Sequence, residues 1–277
     1  MLLKRVLLYV ALMSASALAV APVLAREGVE VGKESAFANL VPAGEVEQSA
    51  RQQYSQMLKE AASKNALGPD DHPQVQRLRR IAKELIPFAL QWNSRAKDWA
   101  WEVNLIGSNQ INAFCMPGGK IAFYTGILNQ LKLTDDEVAM VMGHEIAHAL
   151  REHARERMGK SVATDGLARI GSTIAAAAFG INPNLTDFVA RQGANLLSLK
   201  FSRDDETEAD LVGMELAARA GYNPESGVSL WQKMSEANKG APPQWLSTHP
   251  SGNSRIQEIQ ANLAKVMPLY ERARVTK

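Results

Sequence analysis

MGHEIAHALR, residues 142–151, decides how the rest of this chain is read. His144 and His148 stand four positions apart in a run with helical apolar spacing. On a helix such residues lie one turn above the other on one face, so both imidazoles can grip one metal ion. Glu145 follows the first histidine. A carboxylate there is placed to take a proton from a water activated by the metal, which makes HExxH a hydrolytic signature rather than a binding one alone.

Upstream of it, Thr134 with Glu137 three residues later is a capping-box pattern, and Asp135 and Asp136 add acids that suit a helix N-terminus. Val138, Val141, Met142 and Ile146 then bury one side of the helix. A rigid, buried helix is what a metal site needs. His153 is five residues past His148, about 140° further round an ideal helix. It is therefore expected on the surface, outside the site.

Working outward, residues 47–62 and 73–97 carry apolar residues at helical spacing. Val75, Leu78, Ile81, Leu85, Phe88, Ala89 and Trp92 form one stripe. Pro87 should kink the second helix. Residues 99–106, 110–115 and 120–124 read as three short strands, the last two joined by a Pro117-Gly118-Gly119 turn. The expected fold is α+β: a mostly helical, zincin-like domain with a small antiparallel sheet beside the HExxH helix.

Two imidazoles leave a catalytic zinc short of one protein ligand. A metzincin would place Gly at position 151, where this chain has Arg151. The third ligand is sought instead in FSRDDETEADLVG, residues 201–213, where Ser202 and Asp205 offer an N-cap. Glu206 and Glu208 point to opposite sides, so only one can face the metal. Glu206 shares its face with Asp210, an arrangement that lets Glu206 bind Zn2+ while Asp210 fixes His144 through its ring N–H. The competing reading of this stretch is an acidic, solvated helix start.

Taken in order, GHEIAHALREH, SRDDETEAD and STHPSGNSRI resemble the zinc metallopeptidases of the CAAX-prenyl-endopeptidase type, peptidase family forty-eight. The nearer match is the soluble periplasmic, BepA-like branch, over roughly residues 104–259. The resemblance implies one Zn2+ per chain on His144, His148 and Glu206, with Glu145 as general base and Asp210 as supporting acid. It also implies that Asn112, Ala113 and Phe114 belong to an edge strand that holds an extended peptide substrate. His249 and Arg255 match the C-terminal motif of the family. There His249 could donate to the oxyanion or block the zinc as an extra ligand, and Arg255 could hold the loop or stabilise negative charge. The chain departs from its relatives in showing one helix, about 255–266, after the last motif in place of a repeat array. It also lacks the several membrane spans of prenyl-protein processing members, which argues against a prenylated substrate.

The composition, 46% hydrophobic and 22% charged over 277 residues, is that of a globular chain. Residues 1–25 stand apart: Lys4 and Arg5 precede an apolar run, and Val23-Leu24-Ala25 offers a cleavage site. We expect a signal peptide here, a loose leader over 26–45, and a single metallopeptidase domain over 46–277. Of 31 basic residues the signal takes two, leaving 29 against 29 acids. A neutral mature chain gives no support to nucleic-acid binding. Cys115 is alone and far from the cleavage site, so neither an internal disulfide nor lipidation there is expected. Together these point to a periplasmic zinc endopeptidase acting on unfolded or misassembled envelope proteins. The alternative is a chaperone-like or latent scaffold protein with a closed zinc site. Oligomeric state is open. So is the Ala/Gly-rich stretch 160–200, which packs round the site, forms a lid or touches a membrane peripherally.

Overall fold

The computed structural model describes residues 26–169, 196–239, 243–249 and 253–276. The segment read as an export signal and most of the 160–200 stretch lie outside the described residues. Helix α1 is Ala43–Ser63 and α2 is Pro73–Leu85. His72 caps α2 by accepting from the Gln74 N–H at 3.1 Å, and Pro73 takes the first turn, where its missing N–H costs nothing. The expected helix over 73–97 is not continuous. After Leu85 the chain passes into two 3-10 turns, Ile86–Gln91 and Ser94–Asp98, because Pro87 offers no donor to the ladder and its ring crowds the carbonyl four back.

Strands β1 (Glu102–Ile106), β2 (Ala113–Met116) and β3 (Lys120–Tyr124) form one sheet in the order β1-β3-β2. The sheet is mixed rather than antiparallel throughout: β2 and β3 form an antiparallel hairpin, whereas β1 runs parallel to β3. Chain direction does alternate from strand to strand. The second strand of the hairpin, β3, however, inserts between the other two, so two reversals separate the neighbours β1 and β3. Gly118 and Gly119 turn the hairpin at φ 83° and 78°, a region few side chains tolerate. This order leaves β2 on an edge, where among the described residues it pairs only with β3.

Side chains alternate between two apolar clusters. Ala113, Cys115, Ile121 and Phe123 join the main core, while Phe114, Met116 and Ala122 pack with Val46, Ala50 and Tyr54 of α1. Tyr54 ties that helix to the sheet by donating its hydroxyl to the Ile121 carbonyl at 2.5 Å.

The short α3 (Thr125–Gln130) leads to α4 (Asp135–Leu150), whose N-terminus carries the full Thr134/Glu137 capping box. Helix α4 lies in the core with residues 137–150 all buried. After it, Arg151 closes the helix and Glu152 takes φ 58°, so that α5 (His153–Arg169) starts in a new direction. Helix α6 (Arg203–Arg219) has the Ser202/Asp205 capping box and crosses α4 at two glycines. A Cβ on Gly143 would sit 2.6 Å from the Gly213 carbonyl oxygen, and one on Gly213 would sit 2.5 Å from the His144 nitrogen. No side chain fits between these backbones. Gly213→Ala should therefore destabilise the protein by about 1–3 kcal/mol and weaken metal retention, measured by urea melts and zinc content. A variant melting like the parent would show that the crossing can relax. Helices α7 (Ser226–Ala237), α8 (Gln244–Thr248) and α9 (Asn253–Thr276) complete the described chain. The last runs well past the expected end near 266.

The stretch expected as a loose leader is instead packed from Arg26 onward. Val29 and Val41 are buried. The fully buried Glu215 of α6 accepts from the Val29 N–H at 2.8 Å, and Arg219 donates to the Glu27 carbonyl at 2.6 Å. Among the described residues no helix is long and apolar enough to cross a membrane.

Candidate metal centre

The α4–α6 crossing places Glu206 opposite the two helix imidazoles. Its oxygens lie 3.7 Å from His144 Nε2 and 3.6 Å from His148 Nε2, and the two Nε2 atoms are 3.0 Å apart. His249, just past α8, brings Nδ1 to 3.3 Å from His144 Nε2 and 3.0 Å from Glu206 Oε1. Four buried residues thus offer ligand atoms that all lie within 4.8 Å of one another. Zn–N bonds of 2.0–2.1 Å in a tetrahedron require donor separations of ~3.3 Å, so this set of three imidazoles and one carboxylate fits a zinc ion. A buried cluster of this kind without a cation would leave its lone pairs facing one another.

Around these donors sit groups that orient them. Asp210 Oδ1 lies 3.0 Å from His144 Nδ1. Arg255, near the start of α9, donates to both Asp210 oxygens at 2.6 Å and to Glu206, with its guanidinium 3.7 Å above the Trp231 ring. Burial alone would raise the Asp210 carboxyl, but Arg255 and His144 pull it down to about 2. His148 is held well below the usual imidazole range by burial and by the neighbouring His144, His153, His249 and Arg255, so it stays neutral with a lone pair to offer. Burial works the same way on His249, yet the carboxylates of Glu145 and Glu206 outweigh it and raise that imidazole.

Glu145 Oε1 accepts from the Trp245 indole N–H at 2.5 Å and lies 3.6 Å from His249 Nε2. It opens on a narrow cleft with a volume of about 60 Å³. The cleft is lined by Asn112 and, within the edge strand β2, by Ala113 and Phe114, and also by Leu199 and Phe201. Cys115 also borders the cleft, but burial, with Glu145 nearby, pushes its thiol well up, so it is no nucleophile.

Two readings of the sequence need correction or addition. His153 is not on the surface: it is 1% exposed, with Nδ1 2.8 Å from His148 Nδ1. The estimate of 140° assumed an unbroken helix, and the left-handed Glu152 bends the chain back instead. No sequence motif marks Trp245, Phe201 or Trp231. Phe201 stacks on His148 at 4.0 Å between ring centres, and Trp245 packs on His144, His249 and Trp231. The available hint was that a buried Trp needs an acceptor for its N–H, and Trp245 lies one helical turn before His249.

Comparison with known proteins assigns the chain a family. Residues 73–263 match the model of Peptidase family M48. The chain is 38% identical to the mitochondrial metalloendopeptidase OMA1 of Arabidopsis thaliana, over 59% of this chain and 32% of that protein. It is 27% identical to the metalloprotease LoiP of Escherichia coli, over 76% of this chain and 78% of that protein. It is 27% identical to the beta-barrel assembly-enhancing protease of Yersinia pestis, over 59% of this chain and 35% of that protein. The chain spans less than two thirds of the length of the first OMA1 relatives it matches. With a family match that takes in the histidine pair of α4, the acids of α6 and the His249–Arg255 segment, the chain belongs to Peptidase family M48.

Proposed function

We propose that this protein is a zinc-dependent endopeptidase. The observation that carries this reading is the convergence of His144, His148 and Glu206 beside Glu145, where Glu145 and His148 line a cleft bordered by β2, a strand whose outer edge pairs with no other strand among the described residues. Bound there, zinc supplies Lewis acidity, activating a water and polarising a carbonyl. The protein supplies the rest. Glu145 takes the proton from the attacking water and passes it to the leaving amine. The edge of β2, unpaired among the described residues, would offer N–H and C=O groups to an extended peptide, with Asn112, Ala113 and Phe114 along its path. Purified protein should hold about one zinc per chain and cleave casein, and chelation should stop cleavage; cleavage that survives full removal of metal would sink the proposal.

A second reading has its own observation. His249 Nδ1 stands among the other donors, 3.3 Å from His144 Nε2 and 3.0 Å from Glu206 Oε1, so a zinc held by His144, His148 and Glu206 would have a fourth side chain within reach. This supports a latent resting enzyme, opened when His249 withdraws. His249→Ala is then expected to raise casein cleavage several-fold with zinc content unchanged. A fall in cleavage would instead assign His249 to the oxyanion.

Sequence and kinship together support a setting. The Lys4-Arg5 apolar segment supports export with cleavage of a signal, and relatives include a beta-barrel assembly-enhancing protease. We place the protein in the periplasm, acting on unfolded or misassembled envelope proteins, with no nucleic-acid partner. Cell fractionation, and trapping of substrates with a catalytically silent variant, test this.

A further inference from the structure

We infer that His153 and Glu208 are positioning residues for the metal ligand His148, forming a carboxylate–imidazole relay that selects its metal-binding tautomer. The inference rests on the zinc reading above. His148 turns Nε2 towards His144 and Glu206, and so towards the metal position, while Nδ1 faces away and meets His153 Nδ1 at 2.8 Å. The other nitrogen of His153 lies 2.9 Å from Glu208 Oε2. Arg151 holds the second oxygen of Glu208, donating from Nε at 2.9 Å, and its Nη2 also donates to the Gly32 carbonyl at 2.6 Å. His153 is 1% exposed, so bulk solvent does not compete for these contacts.

Two nitrogens 2.8 Å apart must share one proton, and only one arrangement lets His148 bind a metal. A carboxylate facing His153 Nε2 requires that nitrogen to carry the proton, since a bare lone pair there would face a negative oxygen. With the proton on Nε2, His153 Nδ1 accepts whenever His148 gives its Nε2 lone pair to a metal. His148 must donate from Nδ1, which leaves its Nε2 lone pair directed at the metal. Reversing the relay would put the His148 proton on Nε2, where it blocks coordination. Glu208 thus sets one tautomer through another. His144 is served more directly, by Asp210 at 3.0 Å. The opposite orientation of Glu206 and Glu208 acquires a purpose here: one carboxylate meets the metal, and the other orients an imidazole that meets it.

The test is the zinc dissociation constant, read by competition with a chromogenic chelator, for the wild type and for His153→Ala, His153→Asn and Glu208→Gln. The melting temperatures of the metal-stripped forms are measured alongside. His153→Ala is expected to bind zinc about 10–100-fold more weakly. His153→Asn should recover part of the loss, because its amide oxygen can accept from His148 Nδ1. Glu208→Gln should weaken binding with the metal-free melt unchanged. The Glu208 side chain is 21% exposed, so that variant keeps a result available if His153→Ala does not fold. Zinc affinities within twofold of wild type in Glu208→Gln and in a foldable His153 variant would overturn the relay. So would losses confined to the metal-free melt. A wild type that binds no zinc would instead overturn the metalloenzyme reading, and this inference with it.

Discussion

Glu145→Gln is expected to lower peptide-bond hydrolysis by about 10²–10⁴-fold while zinc stays bound at one per chain. Gln keeps the shape of Glu145 and can still accept the Trp245 indole N–H, so packing on α4 should not change. What it loses is the ability to take a proton. Because Glu145 is not among the four clustered donors, metal retention should be unaffected. Zinc content by atomic absorption and casein cleavage, measured on one preparation, separate the two roles. Cleavage near the wild-type rate would remove Glu145 from the chemistry, and loss of zinc would make it a structural support. This variant is also the one suited to trapping substrates in cells.

Arg255→Ala should be among the most destabilising single changes in the chain, by about 3–5 kcal/mol in urea denaturation of the metal-free protein. Arg255 is 4% exposed, bonds to both oxygens of Asp210 and to Glu206, and stacks on Trp231. Its removal strands two buried carboxylates. Lys in its place cannot supply the same fork of donors, so Arg255→Lys should recover only part of the loss. Saturating zinc should narrow the gap, since the cation then neutralises Glu206. A loss below about 1 kcal/mol would mean that water or another cation reaches these acids. Asp210 adds a pH signature: its folded value, about 2, lies below the ordinary 3.8. The stability it contributes is therefore complete above pH 3.8 and is lost as pH falls through about 2. Arg255→Ala should move that loss to higher pH.

The aromatic shell bears on both expectations. Trp245 touches His144, His249 and Glu145 at once, so the segment carrying His249 reports on the base as well as on the donors. Withdrawal of His249 would also disturb the indole bond to Glu145.

What the sequence alone determined was whatever one regular element decides internally. The helical period put His144 and His148 on one face, the same period put Glu206 with Asp210, and the Thr134 and Ser202 capping boxes set where the two helices begin. These follow from torsions that repeat, so spacing suffices to read them. Tertiary structure decided the rest. The left-handed Glu152 returned His153 to the back of His148, and Gly143 against Gly213 set the depth at which Glu206 meets the imidazoles. Insertion of β3 between β1 and β2 made the sheet mixed and left β2 on the open edge. The packing of Trp245 and His249 over the donors likewise depends on contacts between distant segments. A single non-repeating torsion, or an approach of backbones made possible by an absent side chain, redirects everything after it, and local periodicity carries no record of that.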